Sequence, residues 1–469
     1  MNKTKILVTI GPSSANYDVV KAFIREGVSG FRINFSHGDP NTWDNYLKLI
    51  SEAEEELGQY TAIIGDLRGP QIRIGDIESF EVKRGDKVTL IYSEKSSEEK
   101  TIPVSNKKIF ESIEPGDIIL LDDGRLRFHV QETSNDMATL IALTDGVIKP
   151  RKTIIVSGKD LELPVLTQYD IECIKYSVSR KFTYLALSYA RSRRDIITLR
   201  DILDKLGGEN IGIIAKIETK SAMRNLHGIV KEADAVIIAR GDLGMHYSLE
   251  KIPMLQKRIA KESLAQGKPV IVATQLLESM MDSPQPSRSE IVDVINAVRD
   301  YVDALLLTNE TAVGKYPVET VKWLKKIIRE AEEWILIEQI PPSSRVEEPP
   351  TLRDKYAKGL VLLAESLNAK ILVYTKTGLM PSSISKFRPR IQVFAGSSNI
   401  DVVRRISIYN GIKPLLVGGK GQTYDYEQGL NKLYEKLVEE GDLMYGDILV
   451  LTYGKREEAL YVIKIVQVI

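Results

Sequence analysis

Two short apolar runs in this chain each end abruptly in charge: Ile213-Ile214-Ala215-Lys216-Ile217-Glu218 and Ala235-Val236-Ile237-Ile238-Ala239-Arg240-Gly241-Asp242. Both read as strands. Successive side chains on a strand point to opposite faces, so Lys216 and Glu218 share one face. The residues between the two runs leave room for one helix. Parallel neighbours would bring an ammonium and two carboxylates together at one sheet edge. That set suits a divalent cation with oxygen ligands and an anionic substrate.

The elements that must hold these residues recur along the chain. Fully apolar, β-branched runs predict strands at 6–10, 29–35, 61–66, 182–188, 212–218, 234–240, 269–274 and 302–308. Such runs, rather than alternating ones, mark parallel strands covered on both faces. Amphipathic stretches such as Asp18–Glu26, Arg194–Leu206, Met254–Gln266 and Ser289–Val298 fill the gaps. The economical closure is an α/β fold, a (β/α)₈ TIM barrel. After Asp66-Leu67-Arg68-Gly69-Pro70 short alternating runs (Val88–Tyr92, Ile118–Leu121, Arg127–Gln131, Ala138–Leu143) replace the crossover helix and predict an antiparallel all-β insert. A Pro-rich joint at Ile340-Pro341-Pro342 precedes a second α/β pattern. The expected domains are a barrel of 1–69 and 164–340, a small all-β lid of 70–163 and a C-terminal α/β domain of 341–469.

Composition narrows the function. The 469 residues carry 64 Lys+Arg against 64 Asp+Glu, so no global field favours nucleic acid or an anionic membrane. The single cysteine, Cys173, excludes internal disulfides and Cys-cluster metal sites. The four histidines show no metal spacing. No signal peptide or membrane span is visible, and the expected location is the cytoplasm.

In a barrel of this kind the chemistry sits at the C-terminal ends of the strands. Those ends here read Arg32-Ile33-Asn34-Phe35-Ser36-His37-Gly38, Lys216-Ile217-Glu218, Ala239-Arg240-Gly241-Asp242-Leu243-Gly244, Ala273-Thr274-Gln275-Leu276-Leu277-Glu278-Ser279-Met280 and Glu310-Thr311-Ala312. Each polar residue alone has a bland reading as a cap or a solvated ion pair. A structural barrel has no reason to collect them all on one rim. With these segments the chain resembles the pyruvate kinase family, and the insert and C-terminal domain match that family's B and C domains.

The resemblance implies glycolytic phosphoryl transfer from phosphoenolpyruvate to ADP, giving ATP and pyruvate. It implies that Lys216 stabilises the phosphoryl group in flight and that Glu218 and Asp242 hold Mg²⁺. Arg32 and Arg73 would neutralise phosphates, and amides at Gly241 and Asp242 would bind the substrate carboxylate. Thr274 would assist enolate protonation, with Thr308 and Glu310 nearby. Asp123, beside Asp122 in a turn, and Lys152 would face the nucleotide from the lid. A K⁺ site would draw on Asn34, Ser36, Asp66 and the Leu67 carbonyl. Leu67 and Gln71 depart from the K⁺-using pattern, so weak K⁺ dependence is expected. Thr375-Lys376-Thr377-Gly378 matches a loop that binds phosphorylated effectors in the family, and reads equally as a helix cap. A homotetramer is implied. Two other readings stay open: a Mg²⁺-dependent enolpyruvate-handling barrel without a nucleotide site, and a non-catalytic sensor.

Overall fold

The computed structural model describes residues 2–122, 124–161, 163–337, 351–419, 421–455 and 460–469. Eight parallel strands close a barrel: Lys5–Thr9, Val28–Asn34, Ala62–Asp66, Tyr184–Leu187, Gly212–Ile217, Ala235–Ala239, Val270–Ala273 and Ala304–Leu307. Each pairs with its neighbours in chain order, and the first pairs with the eighth. Their burial is almost unbroken, because one face fills the barrel and the other meets the helices. The interior is built from small and branched residues, among them Ala62, Ile64, Ala186, Ile214, Ile237 and Ile271. The registers bring the C-terminal ends level, pairing Thr9 with Arg32 and Asn34 with Asp66.

The chain leaves the barrel after Asp66 through Gly69. Its φ of +69° is left-handed, and a Cβ there would sit 3.0 Å from the Tyr189 ring, so glycine is required on two counts. The insert has its own apolar core. Its six-stranded sheet is antiparallel except where Lys87–Tyr92 and Thr101–Val104 run parallel. A short helix, Lys108–Ser112, buries Ile109 and Phe110 in the same core, so the lid is mainly rather than purely β. The return crossing is pinned by Arg191, which donates to the carbonyls of Leu161 (3.0 Å) and Leu163 (2.8 Å).

The C-terminal domain is a five-stranded sheet with an antiparallel edge strand, Leu460–Gln467. Alternate residues feed separate cores, Ile371 and Val373 into one and Leu372 and Tyr374 into the other. This domain caps the N-terminal end of the barrel. Its Ile408 joins the barrel interior cluster, and Tyr184 donates its hydroxyl to the Arg405 carbonyl at 2.8 Å. Buried ion pairs join the two bodies: Arg404 with Glu54 (2.5 Å) and Arg388 with Asp303 (2.7 Å). Lys5 donates to the Ile412 carbonyl at 2.5 Å. The joint expected at 340–350 lies outside the described residues. Among the described residues no helix is long and apolar enough to cross a membrane.

Candidate active site

The far end of the barrel carries the charge. Lys216, at the end of the fifth strand, places its Nζ 2.8 Å from Glu218 Oε1, 2.9 Å from Ser188 Oγ and 3.5 Å from Asp66 Oδ1. Burial pushes the Lys216 pKa down. Asp66, Glu218 and Asp242 outweigh that against the like charge of Arg32, and the ammonium is held above its ordinary range. Asp66 shows the complement. Burial pushes its carboxyl up, yet Lys216 and Arg32 hold it below the usual range. Arg32 donates Nε to Asp66 at 2.6 Å and Nη1 to the Thr9 hydroxyl at 3.0 Å.

Glu218 is 1% exposed and fixed on both oxygens, Oε1 by Lys216 and Oε2 by the Tyr189 amide at 2.7 Å. Asp242 stands in the first turn of the short helix Arg240–His246, and its charge reaches both Lys216 and the Tyr189 phenol. Burial above all, then Asp242 and Glu218, keeps that phenol protonated. Gln71 Nε2 lies 3.5 Å from its oxygen.

Thr274 follows the seventh strand in a left-handed conformation, φ +69°, and Gln275 comes next at +54°. Two such residues in succession cost energy unless their surroundings hold them. Arg240 does so. It donates Nε and Nη2 to the Thr274 carbonyl (3.2 and 2.9 Å) and Nη2 to the Gln275 carbonyl (2.7 Å), with Nη1 on Asp293 at 2.5 Å. The Thr274 hydroxyl then accepts from the Gly241 amide at 2.9 Å. Glu310, 1% exposed, accepts from the Thr308 amide (2.7 Å) and hydroxyl (3.1 Å) and from the Leu277 amide (3.3 Å), tying the last two rim loops together.

Comparison with known proteins decides what this rim belongs to. Residues 1–321 match the family model "Pyruvate kinase, barrel domain", and residues 354–466 match "Pyruvate kinase, alpha/beta domain". The chain is 37% identical over 462 residues to a pyruvate kinase of Aeropyrum pernix, covering 98% of each. It is 41% identical over 436 residues to one of Pyrobaculum aerophilum, covering 92% of this chain and 91% of that one. A crystal structure of the Pyrobaculum aerophilum pyruvate kinase superposes with a TM-score of 0.89 at 39% identity over 99% of each chain. The chain belongs to the pyruvate kinase family. A pyruvate kinase from Cryptosporidium parvum superposes with a TM-score of 0.91 at 31% identity, covering 99% of this chain and 96% of that one.

The remaining expected positions fall into three places. On the lid, Lys152 pairs with Asp122 at 2.6 Å, and Arg73 donates to Gln71 (2.8 Å) and the Arg151 carbonyl (3.0 Å); Asp123 lies outside the described residues. At the ends of the second and third strands, Asn34 accepts the Ser36 amide at 3.1 Å, Leu67 is 1% exposed, and its carbonyl accepts from Ser188 at 2.7 Å. In the C-terminal domain, away from the rim, the Thr375 hydroxyl accepts from the amides of Thr377 (3.3 Å) and Gly378 (2.9 Å), closing a turn ahead of the helix Leu379–Ser385. Ser188, Thr9 and Arg240 carry no sequence signal of these roles beyond standing at or just past the ends of apolar strands.

Proposed function

We propose that the transfer from phosphoenolpyruvate to ADP takes place on this rim, with Lys216 as the charge beside the moving phosphoryl group. The observation that carries this is the Lys216 ammonium, held protonated and aimed by Glu218, Ser188 and Asp66. Phosphoryl transfer needs positioning and charge neutralisation more than covalent chemistry. A fixed ammonium meets the spreading charge without reorganising. Arg32, already held between Thr9 and Asp66, has the place to neutralise a second phosphate oxygen.

Glu218 and Asp242 suit Mg²⁺. Both act on the same ammonium, and the Tyr189 amide orients Glu218. Among the described residues no group of three or more His, Cys, Asp or Glu is placed to hold a metal ion by itself, and Mg²⁺ characteristically takes one or two carboxylates with substrate oxygens and water. Bound there, Mg²⁺ would neutralise charge developing on the substrate oxygens.

Thr274 has its hydroxyl beside the helix that carries Asp242. From there it can relay a proton, through water, to the carbon of the enolate left behind, with Thr308 and Glu310 supporting the neighbouring loop. The Gly241 amide is engaged by Thr274 here, so carboxylate binding by that amide requires the hydroxyl to release it. Arg73 and Lys152 are assigned to the nucleotide, whose closure under the lid would exclude water.

K⁺ has a weaker claim. Asp66 is committed to Arg32 and Lys216, and Leu67 is packed in the core. The Thr375 hydroxyl is already committed to the turn ahead of the helix, accepting the Thr377 and Gly378 amides, which weighs against an effector site there. A homotetramer working in the cytoplasm is the family expectation, and light scattering on the purified protein checks the assembly.

Titrating Mg²⁺ in a pyruvate-forming assay tests the metal assignment. Asp242→Asn should need at least about tenfold more Mg²⁺ for half-maximal rate and lose most of kcat. An unchanged Mg²⁺ requirement would remove Asp242 from the site. In the same assay, a more than tenfold rise on replacing Na⁺ by K⁺ would refute weak K⁺ dependence.

A further inference from the structure

The end of the barrel opposite Lys216 encloses a second polar feature. Residues leading into the first strand, the last barrel helix Pro317–Ile337 and the C-terminal domain bound a cavity of about 300 Å³. Two arginines line it, and each keeps one buried nitrogen whose hydrogens no described residue accepts: Arg388 Nε and Arg390 Nη2. Arg388 is 6% exposed, and its terminal nitrogens are spent on Asp303 and on the carbonyls of Tyr301 and Ser385. Lys3 and Arg329 add two more cations to the lining, against Glu332 and Glu333. Glu332 is already engaged. Its oxygens accept the amides of Lys3 (2.9 and 3.0 Å) and Thr4 (2.6 Å).

Cations and carboxylates are interleaved here. Burial pulls the Lys3 pKa down to about 8. Glu332 and Glu365 resist that, and the Arg390 charge adds to it. Lys3 Nζ donates to the Pro389 carbonyl at 2.8 Å, and the Arg390 amide donates to Glu365 at 2.8 Å. The rest of the wall includes Val298, Tyr301 and Leu336. A cavity that sets an apolar wall beside a few convergent donors is a usual form of a small-molecule site. Buried guanidinium N–H groups left without acceptors are costly, and they match the acceptors of an oxyanion.

We propose that this cavity binds a small organic oxyanion, a carboxylate or phosphate on a short apolar body, held by Arg388 and Arg390 across the junction of barrel and C-terminal domain. The ligand's charge completes the two guanidinium shells, and its body lies against the apolar wall. This site is independent of the rim chemistry.

Isothermal titration of the full chain with inorganic phosphate, glycerol 3-phosphate and butyrate tests it, comparing wild type with Arg390→Met. Arg390 is remote from the rim, so kcat at saturating substrate should be unchanged and certifies folding. The expected result is one binding event weakened at least tenfold in the variant. Weakening for the phosphates alone, or for butyrate alone, supports the site and assigns its headgroup. Identical isotherms for all three probes, or no binding to the wild type, overturn it. If Arg390→Met fails to fold, Lys3→Met carries the same comparison.

Discussion

Thr274 is the residue where backbone and chemistry meet most closely. A β-branched residue at φ +69° is uncommon, and here the conformation aims the hydroxyl at the Gly241 amide rather than back along its own strand. If that hydroxyl feeds the proton path, Thr274→Ala should lower both kcat and the rate of deuterium exchange into the pyruvate methyl group by about 10²-fold. Thr274→Ser should keep most of both, because it restores the oxygen. Exchange undiminished in the alanine variant would leave Thr274 with a structural role only. Lys216 and Asp66 stay charged on either side of neutrality, one shifted up and the other down, so neither supplies a pH limit to the rate near pH 7.

The elements were legible to different degrees, for physical reasons. Gly212–Ile217 and Ala235–Ala239 announced themselves because strands buried on both faces cannot alternate. The barrel and the C-terminal sheet followed. In the lid, alternation marks a strand but not the direction of its partner, so the parallel pairing of Lys87–Tyr92 with Thr101–Val104 could not be read. The charged strand ends pointed to Lys216, Glu218 and Asp242. The positive φ values at Tyr189, Thr274 and Gln275 run against the preferences of those residues, and Arg240's partners depend on which loops adjoin. Arg240 is a positioning residue for the Thr274–Gln275 loop. Arg240→Met should cut kcat by about 10²-fold while the far-ultraviolet spectrum stays native, since an ångström of misplacement is enough. Unchanged kcat would show that the loop keeps its conformation without the clamp.

At the scale of the molecule, the C-terminal domain closes the barrel end opposite Lys216, and it does so with buried charge. Lys5 is the sensor of that junction. It is 2% exposed, and burial pulls its pKa down to about 8, against Glu332 and Asp303. Unfolded, it titrates near its ordinary 10.5. Between these values the unfolded chain binds more protons, so Lys5 makes the unfolding free energy rise with pH. Relative to Lys5→Met, the wild type should gain about 3 kcal/mol across that window in denaturant titrations. A difference that does not change with pH would mean that Lys5 stays protonated in the fold. The most direct test of the central claim follows pyruvate and ATP together from phosphoenolpyruvate, ADP and Mg²⁺, for the wild type and Lys216→Met. The account predicts equal amounts of both products, none without ADP, and a rate at least about 10³-fold lower in the variant. Pyruvate formed without ADP, or a variant as fast as the wild type, would contradict it.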